Sequence, residues 1–287
     1  MTLFDAILLG LVQGFTEFLP VSSSGHLVMT QEVLGIRMPG ILLEVALHVA
    51  TLFSVVIVYR ARLWQILRGA LRREAAAWHY IAALAIATIP AVFVGLFLKD
   101  AVETAFDTPF VTAIGLLITA ALLVSTRFAT RRAPVSELDR VREHERAAEL
   151  RREGPVTVAG PAAPPYGISL VLGIAQAFAI LPGVSRSGST ITAGLWSRLS
   201  GERAAEFSFL MSIPAILGAT ILMLADVDQA SSGLDAVTLA AGFLAALVSG
   251  VVAIKSLVWL LRRQAFHHFA WYVAFVALAF LAYLALV

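Results

Sequence analysis

Apolar residues run along this chain in long blocks, and polar residues interrupt those blocks rather than alternate with them. Six blocks, roughly 41–59, 78–98, 109–126, 206–225, 236–261 and 268–287, are long enough to predict bilayer-spanning helices. Two further regions, about 2–35 and 166–198, are broken near the middle by Pro, Ser and Gly. The breaks read Pro20-Val21-Ser22-Ser23-Ser24-Gly25 and Pro182-Gly183-Val184-Ser185-Arg186-Ser187-Gly188. Irregular polar backbone at membrane depth is tolerated only where protein or a wet cavity surrounds it. Both regions therefore predict re-entrant helix–loop–helix hairpins that enter and leave on one side. Ordinary spanning helices with a surface loop are the competing description, and segment 20–35 is too short and polar for that.

The two broken regions are copies. Adding 163 to Gly10, Gln13, Phe15, Val21, Ser22, Ser24 and Gly25 gives Gly173, Gln176, Phe178, Val184, Ser185, Ser187 and Gly188. Seven identities in the seventeen positions from Gly10 to His26, without a gap, mark an internal repeat. Three spanning helices follow each copy, and an odd number turns the second copy upside down. The expected fold is an all-α polytopic membrane protein with six spanning helices plus two re-entrant helical hairpins arranged as an inverted repeat. It forms a single membrane domain: repeat one about 1–126, a connection about 127–165, repeat two about 166–287. In such folds broken helices meet near the midplane and build the site there.

Composition agrees with that solvent. Hydrophobic residues make up 59% of the 287 positions and charged residues 14%, against about a quarter charged in soluble domains. Mean hydropathy is +0.86. A formal net charge of +2 gives no footprint for nucleic acid, and the absence of cysteine excludes disulfides and thiolate metal sites. The first apolar stretch has no basic leader and contains Gln13 and Glu17, so it does not read as a cleaved signal peptide. Arginines gather at 60–73, at 127–152 and at Arg262 with Arg263, whereas Asp100, Glu103, Asp107, Asp226, Asp228 and Asp235 occupy the alternate loops. The positive-inside rule puts the arginine loops in the cytoplasm and both termini outside. The first hairpin then opens from the outer face and the second from the cytoplasm. Segment 137–153 predicts a solvated helix and 154–165 a Pro-rich linker, neither carrying chemistry.

An Arg or Asp inside a membrane costs about 3 kcal/mol on insertion scales, so its presence wants a reason. Gln13 and Glu17 are four apart and share a helix face. Ser23 and His26 are three apart, within reach of each other if the second arm is helical from Ser23, and a hydroxyl beside an imidazole makes an activated nucleophile. The bland alternative is a serine turn that only caps a helix. In the second break, Arg186 stands among glycines and hydroxyls at a helix start, where backbone N–H groups and a guanidinium suit phosphate. A snorkelling arginine is the alternative there, and the inverted repeat opposes it by bringing Arg186 to Ser23 and His26. Glu44 and Glu206 begin spanning helices; Glu206 reads as structural, and Glu44 with His48 as lining the site. A carboxylate, a hydroxyl, an imidazole and a cation together suit phosphoryl transfer.

Gln13-Gly14-Phe15-Thr16-Glu17-Phe18-Leu19-Pro20-Val21-Ser22-Ser23-Ser24-Gly25-His26 and Pro182 to Gly188 resemble the two signature motifs of undecaprenyl-diphosphate phosphatase, the bacitracin-resistance type. Glu44 to His48 and Glu206 to Leu210 resemble its flanking patches, and the resemblance covers essentially the whole chain. It implies a bacterial inner-membrane enzyme, a membrane lipid substrate, a polyprenyl diphosphate, recycling of the lipid carrier for peptidoglycan, and a divalent cation, magnesium or calcium; the charge pattern above opens its site to the outer face. It carries catalytic roles to Glu17, Ser23, His26 and Arg186, and metal binding to Glu17 and Gln13. Substrate contacts fall on Ser22, Ser24, Gly25, Ser185, Ser187, Gly188 and Thr190. Gln13 stands where many members carry Glu, and an amide can bind a metal but cannot serve as a base. The expected chemistry is attack by Ser23 on the terminal phosphorus with His26 moving the proton, or attack by water with His26 as its base.

Two other families share part of this pattern. Type 2 phosphatidic acid phosphatases need a histidine after their Ser-Arg element, and none occurs between His144 and His267. A lipid transporter or flippase shares the inverted-repeat architecture. The sequence also leaves room for a homodimer.

Overall fold

The computed structural model describes residues 1–35, 41–131, 162–225 and 235–286. The solvated helix and linker expected at 137–165 lie largely outside the described residues. Twelve α-helices are described, in chain order: α1 Leu3–Phe18, α2 Ser23–Leu34, α3 Ile41–Val58, α4 Arg60–Leu71, α5 Ala75–Phe97, α6 Lys99–Phe106, α7 Pro109–Arg131, α8 Tyr166–Phe178, α9 Arg186–Trp196, α10 Gly201–Ala225, α11 Ala236–Arg262 and α12 Phe269–Leu286. No strand occurs among the described residues. Five helices are long and apolar enough to cross a membrane, and six if α3 and α4, bent by 76° at their junction, count as one span. This is an all-α polytopic membrane protein. Phe93, Phe97, Trp271 and Phe275 stand exposed on α5 and α12, as lipid-facing side chains do.

Both predicted breaks form, for reasons readable in the chain. Helix α1 begins with a reciprocal cap, in which Thr2 Oγ1 accepts from Asp5 N–H and Asp5 Oδ2 accepts from Thr2 N–H. It stops at Leu19, which is extended because Pro20 follows it. Ser22 caps α2, accepting from Gly25 N–H at 3.2 Å, and Ser185 caps α9, accepting from Gly188 N–H at 3.0 Å. Asp235 caps α11 by accepting from both the backbone and the hydroxyl of Thr238, and those bonds hold its carboxyl below the usual range.

The packing is reciprocal between the halves. Helix α1 lies along α11 and α8 along α5, while α3 packs on α11 and α10 on α5. Close approach of α1 to α11 depends on Gly14, whose missing Cβ would run into Ser249 Oγ and the Ala246 carbonyl. Ser249 is the middle residue of the 27-residue α11, so the stretch of α1 around Gly14 lies beside the middle of a helix long enough to span a membrane. The tips of the breaks then touch. Ser187 Oγ donates to the Leu19 carbonyl at 3.2 Å, and Thr119 of α7 pins the second break by donating to Gly183 O and accepting from Ser185 N–H.

Gly14→Ala should destabilise the detergent-purified protein by about 1–3 kcal/mol, the usual cost of overpacking. Gly218→Ala on α10, where a Cβ meets open space, should leave thermal unfolding unchanged or slightly raised. Equal effects at the two positions would mean that α1 does not approach α11 as described.

Candidate active site

Glu17 holds the two broken regions together. Arg186 Nη2 donates to Glu17 Oε1 at 2.7 Å, with side-chain exposures of 16% and 8%. The other carboxylate oxygen, Oε2, accepts from Ser23 Oγ at 2.7 Å and from Gln13 Nε2 at 3.1 Å. Gln13 and Glu17 stack one turn apart on α1, while Ser23 and Arg186 each open a helix beyond a break. Arg186 therefore does not snorkel to a membrane surface; its charge is met inside by a carboxylate from the other half. Phe18, next to Glu17 in the chain, packs edge-on against Phe209 in the core, ring centroids 5.5 Å apart.

The helix starts are matched. Ser22 Oγ lies 3.2 Å from Ser24 Oγ, and Ser185 Oγ lies 3.3 Å from Ser187 Oγ. Thr190 hydrogen-bonds Ser208 at 2.6 Å and donates to the Arg186 carbonyl at 2.8 Å. The hydroxyls of Ser22, Ser185, Ser187 and Thr190 are thus engaged in building the two tips, and Gly25 and Gly188 offer the N–H groups that the caps take.

His26 departs from expectation. No hydrogen bond joins it to Ser23, although the two are three apart on α2. Its Nδ1 lies 2.9 Å from the Ser22 carbonyl and its Nε2 lies 2.9 Å from the Tyr272 hydroxyl. Glu17, six residues before Ser23 and across the bend, takes the Ser23 hydroxyl instead. Tyr272 was not singled out from the sequence, since nothing local marks a tyrosine 246 positions away. Ser208, which touches Thr190, was named only as part of a flanking motif.

His48 stands within electrostatic range of Glu17, and its Nδ1 is held by the Glu44 carbonyl at 2.9 Å. Glu206 is structural: Arg62 Nε and the Tyr80 hydroxyl donate to its Oε1 at 3.0 and 3.1 Å, and the Arg62 guanidinium lies 4.7 Å over the Tyr80 ring. For a metal, no group of three or more His, Asp or Glu side chains converges among the described residues. One buried acceptor fits a cation nonetheless. Gln13 Oε1 is buried without a partner beside Glu17, which suits an ion held by few protein oxygens and completed by phosphate oxygens.

Residues 6–279 match the family model described as bacitracin resistance protein BacA. The chain is similar to the undecaprenyl-diphosphatase of Alkaliphilus metalliredigens (strain QYMF), 38% identical and aligned over 95% of each chain. It is 37% identical to the undecaprenyl-diphosphatase of Syntrophotalea carbinolica over 95% of each chain. With that of Parabacteroides distasonis the identity is 35% over 98% of each chain.

Removing one member of a buried pair strands the other charge, at a cost of about 3–5 kcal/mol, whereas removing both spares that penalty. Thermal unfolding should therefore rank Glu17→Gln and Arg186→Gln each below the double variant. A double variant no more stable than the worse single would show that the pair is solvated.

Proposed function

The chain belongs to the bacitracin resistance protein BacA family, and from that membership and the site's geometry we propose that it is an undecaprenyl-diphosphatase. It hydrolyses undecaprenyl diphosphate to undecaprenyl phosphate and inorganic phosphate, which returns the lipid carrier to cell-wall synthesis and underlies bacitracin resistance. The observation that carries the assignment of roles is Glu17 gripping Arg186 with one oxygen and Ser23 with the other.

Arg186 is the phosphate ligand. Its forked donors transfer from Glu17 to oxygens of the terminal phosphate, aided by N–H groups at the starts of α2 and α9. Ser23 Oγ attacks the terminal phosphorus and its proton passes to Glu17 Oε2, 2.7 Å away. The bond to the bridging oxygen breaks, and undecaprenyl phosphate leaves with that electron pair. Water then attacks the phosphoserine and the P–Oγ bond breaks. His26 Nε2 takes the water's proton, Glu17 returns its own to Ser23, and inorganic phosphate departs. The separate anchoring of His26 supports assigning it to this second step, because it shares no hydrogen bond with Ser23. Gln13 Oε1 and Glu17 are the groups that would hold magnesium or calcium. Bound there, the cation supplies positive charge against the diphosphate.

The reciprocal packing of α1 on α11 and α8 on α5 supports an inverted repeat with two re-entrant hairpins between six spans. Arginines at 60–73 and 262–263, opposite the acidic residues at 100–107 and 235, support a bacterial inner-membrane topology with both termini outside. In that topology the first hairpin opens the site to the outer face.

Phosphate release from a panel of prenyl diphosphates, by protein in detergent, tests the function and separates it from lipid transport, which needs a sealed bilayer. Undecaprenyl diphosphate should be hydrolysed, chelator should stop the reaction, and added magnesium or calcium should restore it. Arg186→Lys should cost about 10²–10³-fold, as loss of a positioned donor does. Near-normal turnover with Lys at that position would remove Arg186 from the chemistry.

With terminally labelled substrate, His26→Ala should accumulate phosphoserine at Ser23 after a burst of lipid phosphate, and Ser23→Ala should give neither. Slow steady hydrolysis by His26→Ala with no labelled protein would favour direct attack by water.

A further inference from the structure

We propose that Tyr272, on the last helix, is the positioning residue of His26; the proposal rests on His26 acting as the base described above. Three observations converge on it. The Ser22 carbonyl can only accept a hydrogen bond, so His26 Nδ1, 2.9 Å away, carries the ring proton. Nε2 of the neutral ring is then a bare lone pair, and the Tyr272 hydroxyl at 2.9 Å must be its donor. The two rings lie within 16° of parallel with centroids 5.7 Å apart, so the phenol lies almost in line with the imidazole plane it bonds.

The backbone at Ser22 is shaped for the same purpose. Ser22 holds φ at 71° and ψ at 103°, a conformation that side-chain-bearing residues rarely adopt. That turn directs one carbonyl at both the backbone N–H of His26, at 3.1 Å, and its Nδ1. Strain of this kind persists where the surroundings over-determine it, and it clusters at functional sites. The ring is therefore clamped at both nitrogens, from its own turn and from a helix 246 residues away. The outcome is a single tautomer, with the basic nitrogen aimed and kept from turning. Attacking water has to displace only the Tyr272 hydroxyl, and the phenol remains beside the ring to re-bond it after the proton leaves.

Tyr272→Phe tests this, because it keeps the ring contact and removes only the donor. Tyr272→Phe should lower kcat about ten- to a hundredfold, within the 10²–10⁴ that a positioned base supplies, with KM and thermal unfolding unchanged. Nitrogen NMR of histidine-labelled protein, with His26→Gln to assign the signal, should show wild-type His26 protonated at Nδ1 and hydrogen-bonded at Nε2. In Tyr272→Phe the Nε2 signal should move to that of an unbonded or mixed tautomer. Wild-type His26 carrying its proton on Nε2 overturns the clamp whether or not the variant folds. So does Tyr272→Phe with normal kcat and an unchanged His26 signal, provided His26→Gln is inactive. Normal turnover by His26→Gln itself would instead dismiss His26 as the base, a separate failure.

Discussion

A carboxylate from one half of the chain and a guanidinium from the other meet at 2.7 Å, and the rest of the fold depends on that contact. Each group alone is among the costliest that a membrane interior can hold. Each charge is met from the other half, with Glu17 in the last turn of α1 and Arg186 opening α9. The remainder of the architecture serves to let two backbone breaks approach closely enough for the pair to form. Gly14 admits α11 beside α1, Thr119 steadies the second break, and Ser187 ties the tips to each other through the Leu19 carbonyl.

The internal repeat divides the labour between scaffold and chemistry. Positions identical in both copies make the same capping hydrogen bonds, although Ser22 has a positive φ and Ser185 is extended: Ser22 and Ser185 cap, Ser24 and Ser187 flank, Gly25 and Gly188 donate the capping N–H. On the proposed roles, chemistry lies where the copies differ. On the same offset of 163, Ser23 corresponds to Arg186, Glu17 to Ile180 and His26 to Ser189. Gln13 and Gln176 show the consequence directly. The residue is the same, yet Gln13 donates to Glu17 while both amide atoms of buried Gln176 lack a hydrogen-bond partner. A tip duplicated for its backbone has become one site because only one copy carries each reactive group.

This explains what could be read from the chain beforehand. Spanning helices and breaks were legible because they follow from block hydrophobicity and from Pro, Ser and Gly, which act locally. Glu17 and Arg186 were legible because an ionised group in an apolar block has few explanations. The partner of Ser23 was not. Spacing of three on a helix favoured His26, but a bend brings Glu17 back over the helix start, and α-helical periodicity is blind to a bend. Tyr272 and the 76° turn between α3 and α4 were hidden for a related reason. The first depends on tertiary approach across most of the chain. The second falls where arginines replace apolar residues, which marks the end of a span without giving its direction.

On the roles proposed above, the resting site also accounts for its own stability. Apart from the Gln13 Oε1 acceptor, the groups of the site are satisfied by one another: Arg186 and Ser23 by Glu17, and the His26 lone pair by Tyr272. A buried polar set left half-satisfied would weaken the fold, so the absence of substrate must not leave charges or donors stranded. Binding is then an exchange of partners. A diphosphate brings several anionic oxygens to a site whose cation is already paired, and it must compete with a buried carboxylate. Inorganic phosphate, left at the same guanidinium once the phosphoserine is hydrolysed, is tethered to neither lipid nor protein, and Glu17 stands adjacent to reclaim the cation. The ion pair that lets the two halves fold together thereby also favours release of the product.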